Sequence, residues 1–414
     1  MNSKRILIIS HLPLSDETNV GKTLLNLFSS YPIRNVMQLY FKNVGETNAD
    51  YDSFYIGDIS RSTADEKMAN TRNGGLGILY PILTFFDIRS PFLLLLRDLF
   101  WSFKDLEKLG LYKWVENGKP DSIFLAPGYS MFPYKIAVKL SAKYNIKLCT
   151  YFMEDFYNEK RFSLSPFFWI RYYLFRKTVR KCVKQSDKLF CLNDALNKEY
   201  KDCFNRDLIT LFNPADIPST KPVAPNNIKN LIILYGGSIS ESRIDVLLAI
   251  GNAVKNLREK GYDVVFNIYG PVQTDAVLQD ITRCDGINYG GLLDSKELKT
   301  KISESNCVVH VESFKPKYIA KTKMAFSTKI PEYLASGKII WAVGPKGIES
   351  IDYLNRNNAA VISDSMDKIM PALEDLLNER INVQALLINA VDTLEKNHNK
   401  NTIQNLLYKE ICKE

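Results

Sequence analysis

Two consecutive series of short apolar runs limit what this chain can fold into, because each run is followed by a turn and a longer stretch of helical periodicity. The first series falls at residues 5–10, 35–41, 121–127, 147–153, 188–192 and 208–212. The second falls at 231–235, 264–269, 287–289, 307–311, 339–343 and 359–362. Runs this continuous do not alternate polar with apolar, so they predict strands buried on both faces in parallel sheets covered by helices. Two such series in tandem predict an α/β chain of two Rossmann-like, doubly wound parallel-sheet domains.

The break between the series lies near 214–227, where Pro214, Pro218, Pro222 and Pro225 sit in a stretch with little periodicity. The expected domains are 1–218 and 219–385, with a helical tail over 386–414 of which part crosses back to the first domain. A chain of 414 residues exceeds what one hydrophobic core supports, in agreement with two.

Several function classes are excluded by what the chain lacks. Its 7 cysteines are scattered without a Cys-x-x-Cys pair, which argues against a disulfide framework or a structural zinc site and fits a reducing cytosol. With 3 histidines, His11, His310 and His398, a His-rich metal centre is not expected, and no metal is assigned. Lys4 and Arg5 precede the apolar residues 6–9, but Ser10, His11 and Pro13 end that run too early for a signal peptide, so it reads as a first strand. No stretch approaches the roughly 18 to 20 apolar residues that span a bilayer. The one Asp-x-Asp triplet, Asp50-Tyr51-Asp52, reads as surface loop.

Two motifs in the second series carry chemistry. The strand at 231–235 runs into Gly236-Gly237-Ser238, and a helix follows with Arg243 near its start. Glycines let backbone N–H groups approach a phosphate, a helix N-terminus favours an anion, and Arg243 adds a fixed charge for a leaving diphosphate. The same residues also fit an ordinary tight turn followed by a surface arginine. Downstream, Ser327-Thr328-Lys329 precedes Pro331 and Glu332, with Gly337 at the end. Ser and Thr cap a helix there, Pro331 sits in its first turn, and Gly337 stops it. Glu332 is placed to accept the hydroxyls of a ribose, or simply to offset the helix dipole.

These residues resemble the donor-binding half of GT-B retaining glycosyltransferases, in particular the large family that includes capsular and exopolysaccharide-assembly transferases. The strongest stretch is 329–338. The resemblance implies that Glu332 holds the nucleotide ribose, that Arg243 contacts the diphosphate, and that Tyr289-Gly290-Gly291-Leu292 lies near the base. It also implies donor-binding roles for Gly236, Gly237, Ser238, Ser327, Thr328 and Lys329, with Asn213-Pro214 as the turn closing the first domain. The chain departs from the family at two places. A second glutamate eight residues before the first is Met324 here, and the nearest upstream acid, Glu312, is the donor-binding candidate that takes its place; an arginine five residues before the diphosphate-binding residue is Ser238.

In the first domain, Asp16 to Thr23 ends in Gly21-Lys22-Thr23, but Asp16 stands where a phosphate-binding P-loop needs glycine. In the resembled family this loop brings a backbone N–H close to the transferred sugar, which makes Gly21 and Lys22 the candidates. Glu154-Asp155 ends a central strand, where doubly wound sheets place ligands; Asp155 is the candidate partner of the acceptor hydroxyl, or else a helix cap. From Arg171 to Lys184 there are six basic residues and no acid. On a helix, Tyr173, Arg176, Lys177, Arg180, Lys181 and Lys184 share one face, and Phe168, Tyr172, Phe175 and Val179 another. That basic face is either solvated or held against anionic lipid, with 85–103, carrying Arg89, Arg97 and Trp101, as a second such surface. No nucleic-acid-binding signature is present.

The expected function is transfer of a hexose from a nucleoside-diphosphate sugar to a lipid-linked saccharide acceptor, with retention, in surface polysaccharide or glycan assembly. It needs no metal and no resident cofactor, and takes place in the cytoplasm at the inner face of the membrane. Asp155, Arg243 and Lys329 are the expected catalytic groups. A nucleotide-sugar epimerase and a non-catalytic nucleotide-binding subunit are the alternatives.

Overall fold

The computed structural model describes residues 4–16, 18–42, 51–57, 90–103, 105–158, 163–219, 222–224 and 230–412. It divides into two compact units, Met1–Phe212 with Asn401–Glu414, and Asn213–Lys400. The division falls before residue 218 because Leu211 still hydrogen-bonds to Cys191 of the first sheet, whereas Ala215 already pairs with His398 and Asn399.

In chain order the first unit carries β1 (Ile6–Ser10), α1 (Asn19–Phe28), β2 (Val36–Tyr40), β3 (Asp52–Tyr55), α2 (Pro91–Phe103), α3 (Leu111–Gly118) and β4 (Ser122–Ala126). These are followed by α4 (Met131–Tyr144), β5 (Lys147–Phe152), α5 (Pro166–Gln185), β6 (Lys188–Cys191), α6 (Asp194–Phe204) and β7 (Ile209–Thr210). The seven strands form one sheet in the order β3-β2-β1-β4-β5-β6-β7, all parallel. Ile8 sits between Gln38 and Phe124, and every residue of β1 and β4 is buried, as strands covered on both faces require. The order of strands reverses between β1 and β4, so a crevice opens beyond their C-terminal ends.

The second unit carries β8 (Asn230–Gly236), α7 (Ile244–Glu259), β9 (Asp263–Tyr269), α8 (Asp275–Thr282), β10 (Asn288–Tyr289), α9 (Ser295–Glu304) and β11 (Cys307–Val311). Then come α10 (Pro316–Thr322), α11 (Ile330–Ala335), β12 (Ile339–Val343), α12 (Glu349–Arg356), β13 (Val361–Ser363), α13 (Ile369–Leu377) and α14 (Val383–His398). Its six parallel strands run β10-β9-β8-β11-β12-β13, with the reversal between β8 and β11. Both units are therefore doubly wound α/β layers, as the alternating pattern predicts.

Four features differ from the sequence expectations. Asp52 does not lie in a loop but opens β3, an exposed edge strand held by Arg5 and by the Trp114 indole; Asp50 lies outside the described residues. On α5 the buried stripe is Arg171, Phe175, Val179 and Cys182, with Phe168 and Tyr172 only half-buried. Arg171 turns inward because its Nε lies 2.9 Å from Asp98 of α2, both side chains being almost fully buried, while its Nη2 donates to the Tyr129 carbonyl. A buried pair of this kind holds only while both partners remain. On α2, Arg97 is nearly buried and Trp101 is buried, stacked on Phe132 at 4.1 Å, so neither faces outward; 85–89 lies outside the described residues. Last, the second unit extends to Lys400 rather than ending at 385, and the part of the tail from Asn401 crosses back to the first unit as expected. α14 belongs to the second unit, and α15 (Lys400–Cys412) lies on the first, where Gln404 donates to the Asn26 carbonyl and Tyr408 to that of Leu27.

Candidate functional site

The second sheet brings one charged constellation together at its switch point. β8 ends on Gly236, and the Gly237 N–H donates to the Tyr269 carbonyl at the end of β9, so the turn is stitched to its neighbour before α7 begins. Glycine is required at Gly270, which has φ of 141° and where a Cβ would lie 2.1 Å from the Gly237 carbonyl oxygen, while at Gly237 the Cβ position lies 2.5 Å from Lys329 Nζ, which places that ammonium against the turn. Lys329 immediately precedes α11 and reaches back to this turn, with Nζ 5.9 Å from the centroid of the Tyr235 ring. Tyr235 is buried, and its hydroxyl donates to the Ser238 carbonyl.

Arg243 sits at the N-cap position of α7, and its guanidinium bears on the Tyr235 hydroxyl from one side and on Glu312 from the other. The distance from Arg243 Nη2 to Glu312 Oε1 is 3.8 Å. The same carboxylate oxygen lies 3.4 Å from His310 Nε2, and both of those side chains are buried at the end of β11. Burial pushes the Glu312 carboxyl up, but the neighbouring His310 ring and the charge of Arg243 outweigh it and hold the group below its ordinary range. Two cations, Arg243 and Lys329, thus flank the glycine turn, and a buried carboxylate orients the first of them.

Glu332 lies in the first turn of α11, half-buried, with Pro331 beside it. The helix is short and begins at Ile330, after Lys329, so Ser327 and Thr328 do not occupy its N-cap. Ser327 instead accepts the Lys329 N–H at 3.3 Å and is itself held by Ser350. Gly337 adopts φ of 67°, as a residue ending a helix often does. Gly291, at φ of 79°, accepts the Gly270 N–H, so the loop after β10 is tied to the end of β9, to which the glycine turn is also stitched.

The first unit presents a separate cavity of about 300 Å³ beyond the C-terminal ends of β1, β4 and β5. Its walls are mainly apolar, with His11, Arg97, Tyr129 and Glu154 as the ionisable groups among them. Arg97 Nη2 donates to Ser130 Oγ at 2.9 Å. Glu154, not Asp155, lines this cavity. The Asp155 carboxylate accepts from the Asn158 N–H and from the Tyr200 hydroxyl, both at 3.0 Å, and so fixes the turn after β5. Gly21 and Lys22 serve the start of α1. The Gly21 N–H donates to Thr18 Oγ1 and the Lys22 N–H to the Thr18 carbonyl, so both backbone donors are spent on the helix cap. A Cβ on Gly21 would meet the Pro13 and Ser15 carbonyl oxygens at 2.6 and 2.7 Å, which is why glycine stands there.

Sequence reasoning missed Tyr235, His310 and Tyr333 as parts of the charged constellation. The signal for Tyr235 was its place directly before the two glycines. Tyr333 is buried and lies against the backbone of Gly236, an approach that no local spacing reveals. Among the described residues, no three His, Cys, Asp or Glu side chains gather as a metal site.

No protein-family model matches the chain, and no curated protein matches it in sequence. Its architecture does have close counterparts among solved structures. HepE of Anabaena in complex with UDP superposes with a TM-score of 0.61 at 13% identity, covering 98% of both chains. The lipopolysaccharide outer core galactosyltransferase WaaB in its apo form gives 0.60 at 12% identity, over 98% of this chain and 99% of that one. The α,α-trehalose 6-phosphate synthase of Burkholderia multivorans gives 0.63 at 12% identity, over 99% and 98%. The fold is GT-B. In GT-B terms, the turn at Gly236–Gly237, Arg243, Lys329 and Glu332 belong to the second unit, and the cavity at Glu154 belongs to the first.

Proposed function

We propose that this chain is a glycosyltransferase that takes a nucleoside-diphosphate sugar in its second unit and passes the sugar to a saccharide acceptor. The observation that carries the reading is the convergence of Arg243 and Lys329 on the Gly236–Gly237 turn at a sheet switch point. The bond that breaks joins the anomeric carbon to the diphosphate, whose charge grows as it leaves. Fixed cations aimed at that growing charge stabilise the transition state more than the bound substrate. Glu332 holds the ribose, the Ser327 and Thr328 hydroxyls border the diphosphate, and the loop at Gly291 borders the base. That the HepE structure contains UDP makes a uridine nucleotide the first to test.

On the acceptor side, Glu154 stands in the cavity of the first unit while Asp155 fixes the turn that carries it. We read the transfer as retaining, of a hexose, and independent of both metal and resident cofactor, since the two cations supply the positive charge. The acceptor is a lipid-linked saccharide of surface glycan assembly, met at the inner face of the cytoplasmic membrane. The exposed, acid-free face of α5 supports that location. No described helix is long and apolar enough to cross a membrane.

The test is calorimetry and thermal denaturation with a panel of nucleoside diphosphates. A nucleotide at about 100 times its dissociation constant stabilises the protein by roughly 2.7 kcal/mol. Glu332→Ala weakens that binding by about 1.5 to 3 kcal/mol, the worth of a charged hydrogen bond, which is on the order of tenfold to a hundredfold in dissociation constant. A protein that no nucleotide stabilises is not this transferase. An unchanged affinity in the variant removes Glu332 from the site.

A further inference from the structure

The surface formed by α4 and α5 has a composition that the transferase reading does not use. A groove of about 500 Å³ runs between the two helices, with Lys135 and Lys139 on the α4 side and Lys177 and Lys181 on the α5 side. All four lysines are exposed, and on each helix the pair is four residues apart, one turn above the other on the same face. No Asp or Glu occurs anywhere in Met131–Tyr144 or Pro166–Gln185, and among the described residues none lines the groove. Lys139 Nζ also lies 5.4 Å from the Tyr112 ring centroid, and with basic side chains along both walls the groove is suited to an anion that bridges the two helices.

The same strip of α5 changes character towards its N-terminus. Trp169, Tyr173, Lys177 and Lys181 succeed one another at four-residue spacing, so aromatic and basic side chains form one continuous face. Phe167, Trp169, Ile170 and Tyr173 are 40%, 48%, 49% and 66% exposed. Phe92 of α2 is also exposed, and its ring lies 4.9 Å from that of Phe167, which extends the apolar patch onto a second helix. By contrast, Arg176 and Arg180 turn away from the groove. Arg176 stacks 4.1 Å from the Tyr157 ring centroid and Arg180 Nε donates to the Tyr157 hydroxyl.

We propose that the α4–α5 groove binds the phosphate headgroups of anionic phospholipid in a bilayer, with the aromatic turns of α5 and Phe92 set into the membrane interface beside it. Exposed aromatic and aliphatic side chains next to clustered lysines match the two layers of such a surface, apolar at acyl depth and anionic at the headgroups. A soluble polyanion such as RNA would satisfy the lysines but leave Trp169, Ile170 and Phe92 without a role. The inference rests on the proposed location of the acceptor and deepens it by naming the contact surface, yet it holds for the full chain whether or not transfer is observed.

The experiment is flotation of the full-length protein with phosphatidylcholine vesicles, with and without phosphatidylglycerol, across a salt series and without any sugar donor. The parent floats with the anionic vesicles only and is released as salt rises. Each lysine near such a surface is worth about fivefold, from roughly 1 kcal/mol apiece, so replacing Lys135, Lys139, Lys177 and Lys181 with Gln lowers vesicle affinity by a hundredfold or more. Trp169→Ser with Tyr173→Ser also lowers affinity for the anionic vesicles and shifts release to lower salt, because the apolar contact that adds to the lysines is lost. Thermal melting and nucleotide binding of each variant stay at parental values, which separates loss of docking from loss of the donor site. If the fourfold variant fails to fold, Lys177→Gln with Lys181→Gln carries the test, with about a twentyfold loss expected. The proposal is overturned if the parent ignores anionic vesicles at low salt, if the lysine variants float like the parent, or if single-stranded RNA competes the protein off the vesicles at lower concentration than phosphatidylglycerol vesicles bind it.

Discussion

His398 makes the stability of the second unit depend on pH in a way that can be worked out from its contacts. It is fully buried at the end of α14, with Nδ1 2.8 Å from the Asn213 carbonyl and Nε2 2.9 Å from the Tyr353 hydroxyl. A carbonyl only accepts, so Nδ1 carries the hydrogen and Nε2 of the neutral ring accepts from Tyr353. Protonation would place a second N–H against that hydroxyl, which already receives the Asn397 amide. Burial lowers the imidazole to about 4, against a smaller raising effect of the Asn213 hydrogen bond. Above pH 6.5 neither state holds the proton. As pH falls below 6.5 the unfolded chain takes up a proton that the folded unit refuses until about 4, so stability is lost across that window. At about 1.4 kcal/mol per pH unit, the full loss is on the order of 3 kcal/mol, or roughly 6 to 12 °C in melting temperature for a unit of this size. The assay is urea denaturation of parent and His398→Gln between pH 7 and 4. Carboxylates titrate in both proteins, so the difference between the two curves isolates His398. The parent loses stability more steeply than the variant. Parallel curves would refute the reasoning, because they would mean that the ring charges in place without cost.

Three further outcomes test the site and the loop that precedes α1. Arg243→Ala lowers kcat with a competent donor by on the order of a hundredfold, since it meets charge that grows as the diphosphate departs; a near-parental kcat, read in a steady-state assay, would move that role to Lys329. Glu312→Gln keeps the volume but leaves Arg243 without its buried counter-charge, lowering stability by about 1 kcal/mol or more at pH 7 in chemical denaturation. An unchanged midpoint would mean that the contacts at 3.4 and 3.8 Å contribute nothing. Gly21→Ala destabilises the first unit by about 1 to 3 kcal/mol, because the new methyl meets backbone oxygens rather than a side chain that swings aside; an unaltered melting temperature contradicts that.

The buried strands were legible because burial on both faces leaves a run of apolar residues that no loop or exposed helix shares, as in residues 6–9 or 339–343. β3 was not legible for the converse reason. Asp52, Ser53, Phe54 and Tyr55 form an exposed edge strand, so they carry no apolar signature, and their pairing with β2 is decided by the neighbour. Arg171 misled in the same way. Counting it among surface charges of α5 follows from residue type, but a single carboxylate on another helix, Asp98, turns it inward. Residue type states a preference, and a partner distant in the chain overrides it.

The site shows the same division more sharply. Gly236, Gly237 and Arg243 were visible because a strand, a tight turn and a helix start lie within a dozen residues, so local spacing carries their placement. Lys329 beside that turn and Glu312 beside Arg243 depend on which strands flank the switch point, and only the order β9-β8-β11 brings them there. Within the first unit the sequence offered two adjacent acids at one strand end and no means of choosing. Neighbouring residues point to different sides, so one of them was bound to face the cavity and the other the turn. Glu154 lines the cavity while Asp155 is held by Asn158 and Tyr200. Gly21 and Lys22 follow the opposite logic. Thr18 three residues before Gly21 is itself a helix-cap pattern, and a cap consumes the backbone donors that a ligand would need. A loop can present free N–H groups or start a helix on its own side chain. The same N–H groups do not serve both, and here Thr18 has taken them.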